Sequence, residues 1–123
     1  MEYAIENEYL IVTVTTWGAQ VKSVVRKFDD VEHMWQADKS VWGYHAPILF
    51  PHTGKVVDDL IETKGEVYQA KQHGFARLME HTLVRQTEDT IVMELRSSEE
   101  TLRIFPYAFR MVSTFTLDGD EAA

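Results

Sequence analysis

The chain of 123 residues has no cysteine, which excludes disulfides and thiolate metal sites and suits a reducing compartment without requiring one. It has no apolar run approaching the ~20 residues of a membrane-spanning helix. Its first ten residues, MEYAIENEYL, carry acids where a secretory signal needs basic residues followed by an apolar stretch. Positive charge is in the minority, with 12 Lys and Arg against 20 Asp and Glu and a net charge of −8. No local basic patch offsets that field, so a phosphate backbone or an anionic bilayer is repelled. The expectation is a soluble cytoplasmic protein with neither nucleic acid nor membrane as partner. Internal repeats and low-complexity linkers are also lacking.

What is present is an ordinary globular composition, 45% hydrophobic and 26% charged, in a length that suits one core. A single domain over residues 1–123 is expected. Strand signals dominate. In YLIVTVTT (9–16), Leu10, Val12 and Val14 alternate with Ile11, Thr13 and Thr15; after Trp17 and Gly18 an extended pattern resumes over residues 20–28, up to a turn at Asp29 and Asp30. These two segments form an antiparallel pair with polar outer positions. In LIETKGEVYQ (60–69), Lys64 and Gly65 are the two central residues of a hairpin turn, glycine supplying a positive φ. A second hairpin joins 82–86 to TIVMELR (90–96), where Ile91, Met93 and Leu95 oppose Val92, Glu94 and Arg96.

Ser97, Ser98, Glu99 and Glu100 suggest a capping box, with the Ser97 hydroxyl as cap and Glu100 reaching back. The helix it starts must be short, because Pro106 has no N–H. FRMVSTFTL (109–117) then returns to strand, with Phe109, Met111, Phe115 and Leu117 on one face and Arg110, Thr114 and Thr116 on the other. Asp118 and Gly119 signal another hairpin, yet the four residues after Gly119 are too short and too polar to pair with that strand. The chain therefore reads as truncated after Leu117, with an open sheet edge that another copy would cover. The expected fold is all-β, an antiparallel β-sandwich with short helical turns.

The five histidines stand at 33, 45, 52, 73 and 81, with no pair at the two-to-five-residue spacing of a compact metal motif, and no metal site is expected. Two loops concentrate polar groups. WGYHAPILFPHTGK (42–55) reads as a buried strand, Ile48, Leu49 and Phe50, running into a sharp loop at Pro51 and Gly54 that offers His52, Thr53 and Lys55. On a bland view Lys55 is solvated and His52 is a surface histidine. QHGFAR (72–77) lies between a hairpin and the next strand. Gly74 can bring backbone close to a ligand, His73 can exchange or donate a proton, Phe75 anchors the loop, and Arg77 offers a charged fork. The same His and Arg equally suit pinning the loop in place.

Taken together, YLIVTVTTWGAQVKSV, HMWQAD, WGYHAPILFPHTGK, QHGFAR and SSEETLRIFPYAFRMVSTFTL resemble, in order and spacing, the N-terminal part of aldose 1-epimerase-like proteins of the galactose mutarotase-like superfamily. The pairing of an LFP-x-x-G loop with a downstream QHGFAR is its specific part. The resemblance implies a large antiparallel sandwich that holds a hexose or hexose phosphate and interconverts its α and β anomers, with no cofactor. A base takes the proton of the anomeric hydroxyl while an acid protonates the ring oxygen; the ring opens, rotates and recloses. In the family the base is a glutamate and the acid a histidine. His73 matches the histidine of the HG pair, a catalytic contact that steadies the oxygen developing charge. Arg77 matches the arginine of that motif, an anion contact in the phosphate-using branch. Lys55 stands where the family usually has arginine, which keeps the charge and loses the bidentate fork. The family's chains are more than twice as long, and both the second histidine and the catalytic glutamate lie beyond this sequence. Glu62, Glu66, Glu80, Glu99 and Glu100 sit on turns, hairpin arms or the cap, so none is assigned as the base. The alternatives are a non-catalytic carbohydrate-binding module that keeps Lys55, His73 and an aromatic surface from Trp17 or Trp42, and a self-associating truncated remnant.

Overall fold

Short runs in which every second residue is apolar make strands with one wet face, and two such sheets bury their dry faces against each other. The computed structural model describes residues 1–41, 43 and 45–122; Trp42, one of the two aromatic residues named above, lies outside the described residues, as do Tyr44 and Ala123. The elements are β1 (Glu2–Glu6), β2 (Leu10–Thr15), β3 (Gln20–Arg26), β4 (Val31–Glu32), β5 (Leu60–Thr63), β6 (Glu66–Gln69), β7 (Thr82–Gln86), β8 (Thr90–Arg96), α1 (Glu99–Ile104), β9 (Arg110–Asp118) and β10 (Glu121–Ala122). The strands form two four-stranded sheets, ordered β1-β2-β3-β4 and β10-β9-β8-β7, and the separate hairpin β5-β6. Every strand pair is antiparallel.

The core follows the alternation seen in the sequence. Leu10, Val12 and Val14 of β2 meet Ile91 and Met93 of β8 and Leu117 of β9 in one cluster, with Ile5 of β1 and Ala19. Val14, Ile91 and Met93 are fully buried, each contributing on the order of 1.5–3 kcal/mol from removal of its side chain from water. A second cluster joins Phe75, Ala76 and Leu95, with Phe50, Met79, Ile104, Phe105, Phe109 and Met111 against it. The apolar face expected of residues 109–117 is thus divided: Phe109 and Met111 serve the second cluster, Phe115 and Leu117 the first. In the β5-β6 turn, Lys64 (φ 52°) and Gly65 (φ 75°) both take positive φ, the requirement of the tight two-residue connection.

Three expectations are corrected. The cap of α1 is Ser98, one residue later than expected, and its reciprocal partner is Thr101: the Thr101 N–H donates to Ser98 Oγ at 3.3 Å and the Ser98 N–H donates to Thr101 Oγ1 at 2.8 Å. Ser97 is unavailable because its own N–H donates to the Phe109 carbonyl and its Oγ accepts from the Phe109 N–H, prolonging the β8-β9 ladder. Ile48, Leu49 and Phe50 are not a buried strand: Leu49 is exposed, and Phe50 makes a single parallel bridge with Gly74. Pro47 and Pro51 bracket these three residues and neither can donate to a ladder. Finally, the tail does pair. Gly119 (φ 59°) turns the chain, and Glu121 and Ala122 pair with Asp118 and Leu117.

Candidate functional site

The two loops singled out in the sequence are interlocked. The Phe50 carbonyl accepts from the Phe75 N–H at 2.9 Å and from the Ala76 N–H at 3.2 Å, which seats QHGFAR directly on the LFPHTGK segment. The approach at Gly74 (φ 76°) is so close that a Cβ there would stand 2.1 Å from the Phe50 oxygen, so only glycine fits. Phe75 is buried, as expected of an anchor, with its ring 6.0 Å from that of Phe50 and 5.9 Å from that of Phe109. Four aromatic rings, Phe50, Phe75, Phe105 and Phe109, therefore hold the underside of both loops.

A second junction lies four residues further along the first loop, at Gly54. The His73 N–H donates to the Gly54 carbonyl at 2.8 Å, and the Gly54 N–H donates back to His73 Nδ1 at 2.8 Å. His73 has a positive φ of 62°, an uncommon conformation for a residue with a Cβ. Its Nε2 has no protein partner among the described residues and is not fully shielded from solvent. Lys55, next to Gly54, is exposed and, among the described residues, in no ion pair. The structure thus brings Lys55 and His73 onto one double loop. Arg77 is half-buried and its Nη2 donates to the Gln72 carbonyl at 3.1 Å, closing QHGFAR on itself.

The other histidines have different surroundings. His52 is no surface histidine: it is half-buried, and both ring nitrogens are shielded from solvent with no partner among the described residues. His81 is buried, and its ring Nε2 bonds the Ala76 carbonyl at 2.9 Å; burial pushes its pKa below the usual histidine value, and the Ala76 bond opposes that only in part. Burial, with Lys22 nearby, also lowers His45. Among the described residues no three His, Asp or Glu side chains come together as a metal site. A cavity of about 380 Å³ adjoins the loops through Pro51, His52 and Gly74. Its walls are mainly apolar, from Ile61, Phe75, Met79, Ile104, Phe105 and Tyr107, and none of Lys55, His73 or Arg77 lines it.

The Gly54 to His73 link is the feature that residue types alone miss. So is the strap at Pro106 and Tyr107, two residues of the cavity lining, where Lys64 Nζ donates to the Pro106 carbonyl at 2.9 Å and lies 4.5 Å from the Tyr107 ring centre. Both partners of the first link are visible in the sequence as a loop glycine and a loop histidine; nothing local says that they meet.

Two antiparallel sheets packed face to face, with one short helix, place the chain in the class of mutarotase-like β-proteins. The aldose 1-epimerase family matches residues 1–122, and the chain belongs to that family. It is 33% identical to the plasmid-encoded protein LacX of Lactococcus lactis subsp. lactis, over 97% of this chain and 41% of LacX. Among solved structures it is similar to a galactose mutarotase related enzyme from Lactobacillus acidophilus, with a TM-score of 0.95 at 37% identity, covering 96% of this chain and 39% of that one. It is likewise similar to a galactose mutarotase-like protein from Lactobacillus casei, with a TM-score of 0.95 at 31% identity, covering 99% of this chain and 42% of that one. The chain therefore spans about two fifths of the length of these relatives.

Proposed function

We propose that this chain supplies sugar contacts to an aldose 1-epimerase, an isomerase that interconverts the α and β anomers of a hexose by acid-base opening and reclosure of the ring. The observation that carries this is the junction of His73 with Gly54, which sets an imidazole and the neighbouring Lys55 on one rigid double loop. His73 contacts a sugar oxygen as negative charge develops on it, and Lys55 contacts hydroxyls. For Arg77 the bond to Gln72 supports a loop-holding role ahead of an anion contact. The matched relatives named as galactose mutarotase related or mutarotase-like make an unphosphorylated hexose such as galactose the first sugar to try.

No carboxylate of this chain is assigned as the base, and ring opening needs a group at each end of the reacting system. The chain by itself is expected to bind galactose while anomer exchange stays close to the buffer rate. Sugar-induced NMR shifts at His73 and Lys55 that disappear in His73→Ala support the assignment; shifts that survive the substitution place the site elsewhere. Self-association belongs to the same proposal. Among the described residues β10 covers only Leu117 and Asp118 of β9, and a bare run of strand N–H and C=O groups invites a second copy. A monomer mass by light scattering would remove that part.

A further inference from the structure

The two hydrogen bonds between Gly54 and His73 restrict what the imidazole can do. A backbone N–H can only donate, so His73 Nδ1, 2.8 Å from the Gly54 nitrogen, must be the acceptor. A neutral imidazole carries one N–H, and with Nδ1 accepting, that proton is on Nε2. The same peptide's carbonyl takes the His73 N–H at 2.8 Å, so the ring is held at its backbone and at its near nitrogen together. Nε2, the remaining nitrogen, is not fully shielded from solvent and has no partner among the described residues.

We propose that the Gly54 peptide is a positioning group that fixes His73 as a single tautomer, so that His73 offers a ligand one N–H donor at Nε2 and no acceptor. On the sugar-site reading above, the atom that His73 contacts is a ligand oxygen with a free lone pair: a ring oxygen, a hydroxyl acting as acceptor, or a phosphate ester oxygen. A proton on Nδ1 would face the Gly54 N–H and break the junction, so His73 acts as a neutral donor while the two loops stay joined. The strained φ of 62° at His73 is what brings its backbone and its ring to the same peptide, and such strain persists where surrounding bonds hold it.

The test begins with the ligand-free, ¹⁵N-labelled chain. A through-hydrogen-bond coupling between the Gly54 nitrogen and His73 Nδ1, with the ring proton on Nε2, is expected; a proton on Nδ1, or a ring averaging between tautomers, overturns the proposal. Two substitutions separate the junction from general loop stability. In His73→Asn the Oδ1 atom can stand where Nδ1 stood, and asparagine tolerates positive φ, so slow exchange of the Gly54 amide should be kept. In His73→Gln the amide group lies too far along the side chain, and that exchange should speed on the order of tenfold, as loss of one hydrogen bond predicts. Equal exchange in both variants contradicts the proposal. Galactose added to the unsubstituted chain should move the Nε2 signal and leave the coupling to Nδ1 in place. An intact coupling with no response to galactose would overturn the sugar reading while leaving the fixed tautomer established.

Discussion

Replacing Gly74 by alanine tests how tightly the two loops are joined, and Gly65 provides a matched control. The two glycines have nearly the same positive φ, 76° and 75°, so a Cβ at either should cost the same backbone strain, ~1–2 kcal/mol. They differ in what the new Cβ meets. At Gly65 nothing lies within 4 Å, whereas at Gly74 the Phe50 carbonyl oxygen is at 2.1 Å, its carbon at 2.4 Å and Pro51 Cδ at 2.6 Å. No small adjustment relieves a backbone clash of that size, so the loop must lift from Phe50. Lifting removes the bonds that the Phe75 and Ala76 N–H groups donate to the Phe50 carbonyl, about 0.5–1.5 kcal/mol each. It also opens the edge-on contact between the Phe50 and Phe75 rings, about 0.5–1.5 kcal/mol more. Gly74→Ala should therefore lower stability by about 2.5–6.5 kcal/mol in total, against ~1–2 kcal/mol for Gly65→Ala. Urea denaturation followed by tryptophan fluorescence measures both, compared at a shared m-value. Midpoints giving the two variants the same loss, within about 0.5 kcal/mol, would refute the claim that the Phe50 contact is what requires glycine.

Lys55→Arg should tighten galactose binding, because the guanidinium reaches two adjacent hydroxyls at once, while Lys55→Ala weakens it without moving the urea midpoint; NMR titration and denaturation report the two effects separately. Lys64→Met keeps the side-chain length but removes the charge over Tyr107 and the bond to the Pro106 carbonyl, and should cost about 1 kcal/mol; an unchanged midpoint would show that the strap contributes nothing. For His81 the folded pKa lies below the unfolded value of 6.5, so above that pH both states are neutral and no cost arises. Below it the unfolded chain takes the proton first, and stability should fall by at most ~1.4 kcal/mol per pH unit until the folded pKa is reached. His45 is shifted in the same direction, so His81→Gln should flatten the dependence below pH 6.5 without abolishing it; an identical slope in that variant would contradict a neutral buried His81.

The parts of the fold legible in the sequence are those set by local pattern. The β7-β8 hairpin has the expected bounds, as does the β5-β6 turn, because alternation and a two-residue turn act over a few neighbours. The displaced cap shows where local reading stops. Ser97 and Ser98 are equally good caps by residue type, and the choice is made by Phe109, whose backbone engages Ser97 from 12 residues away. The apolar triplet at 48–50 fails for a related reason. Hydrophobicity says that such residues are buried, but not that the Phe50 carbonyl serves two N–H groups of a distant loop in place of a ladder.

The same distinction governs the site. Residue chemistry singled out two polar loops, and the resemblance to the family picked Lys55, His73 and Arg77 from them. It could not decide between contacting a ligand and pinning a loop; the structure shows the pinning bond at Nδ1, and on the proposal above Nε2 is the atom that contacts the sugar. Gly74 and Phe75 then act by holding that histidine in place. Loss of sugar binding on substitution within QHGFAR is therefore not evidence of contact by the residue replaced. A contact at Nε2 predicts that His73→Asn keeps the loop junction and still loses the sugar, whereas Gly74→Ala loses both. If His73→Asn binds galactose as the unsubstituted chain does, the imidazole is a pin alone, and the sugar must be held elsewhere.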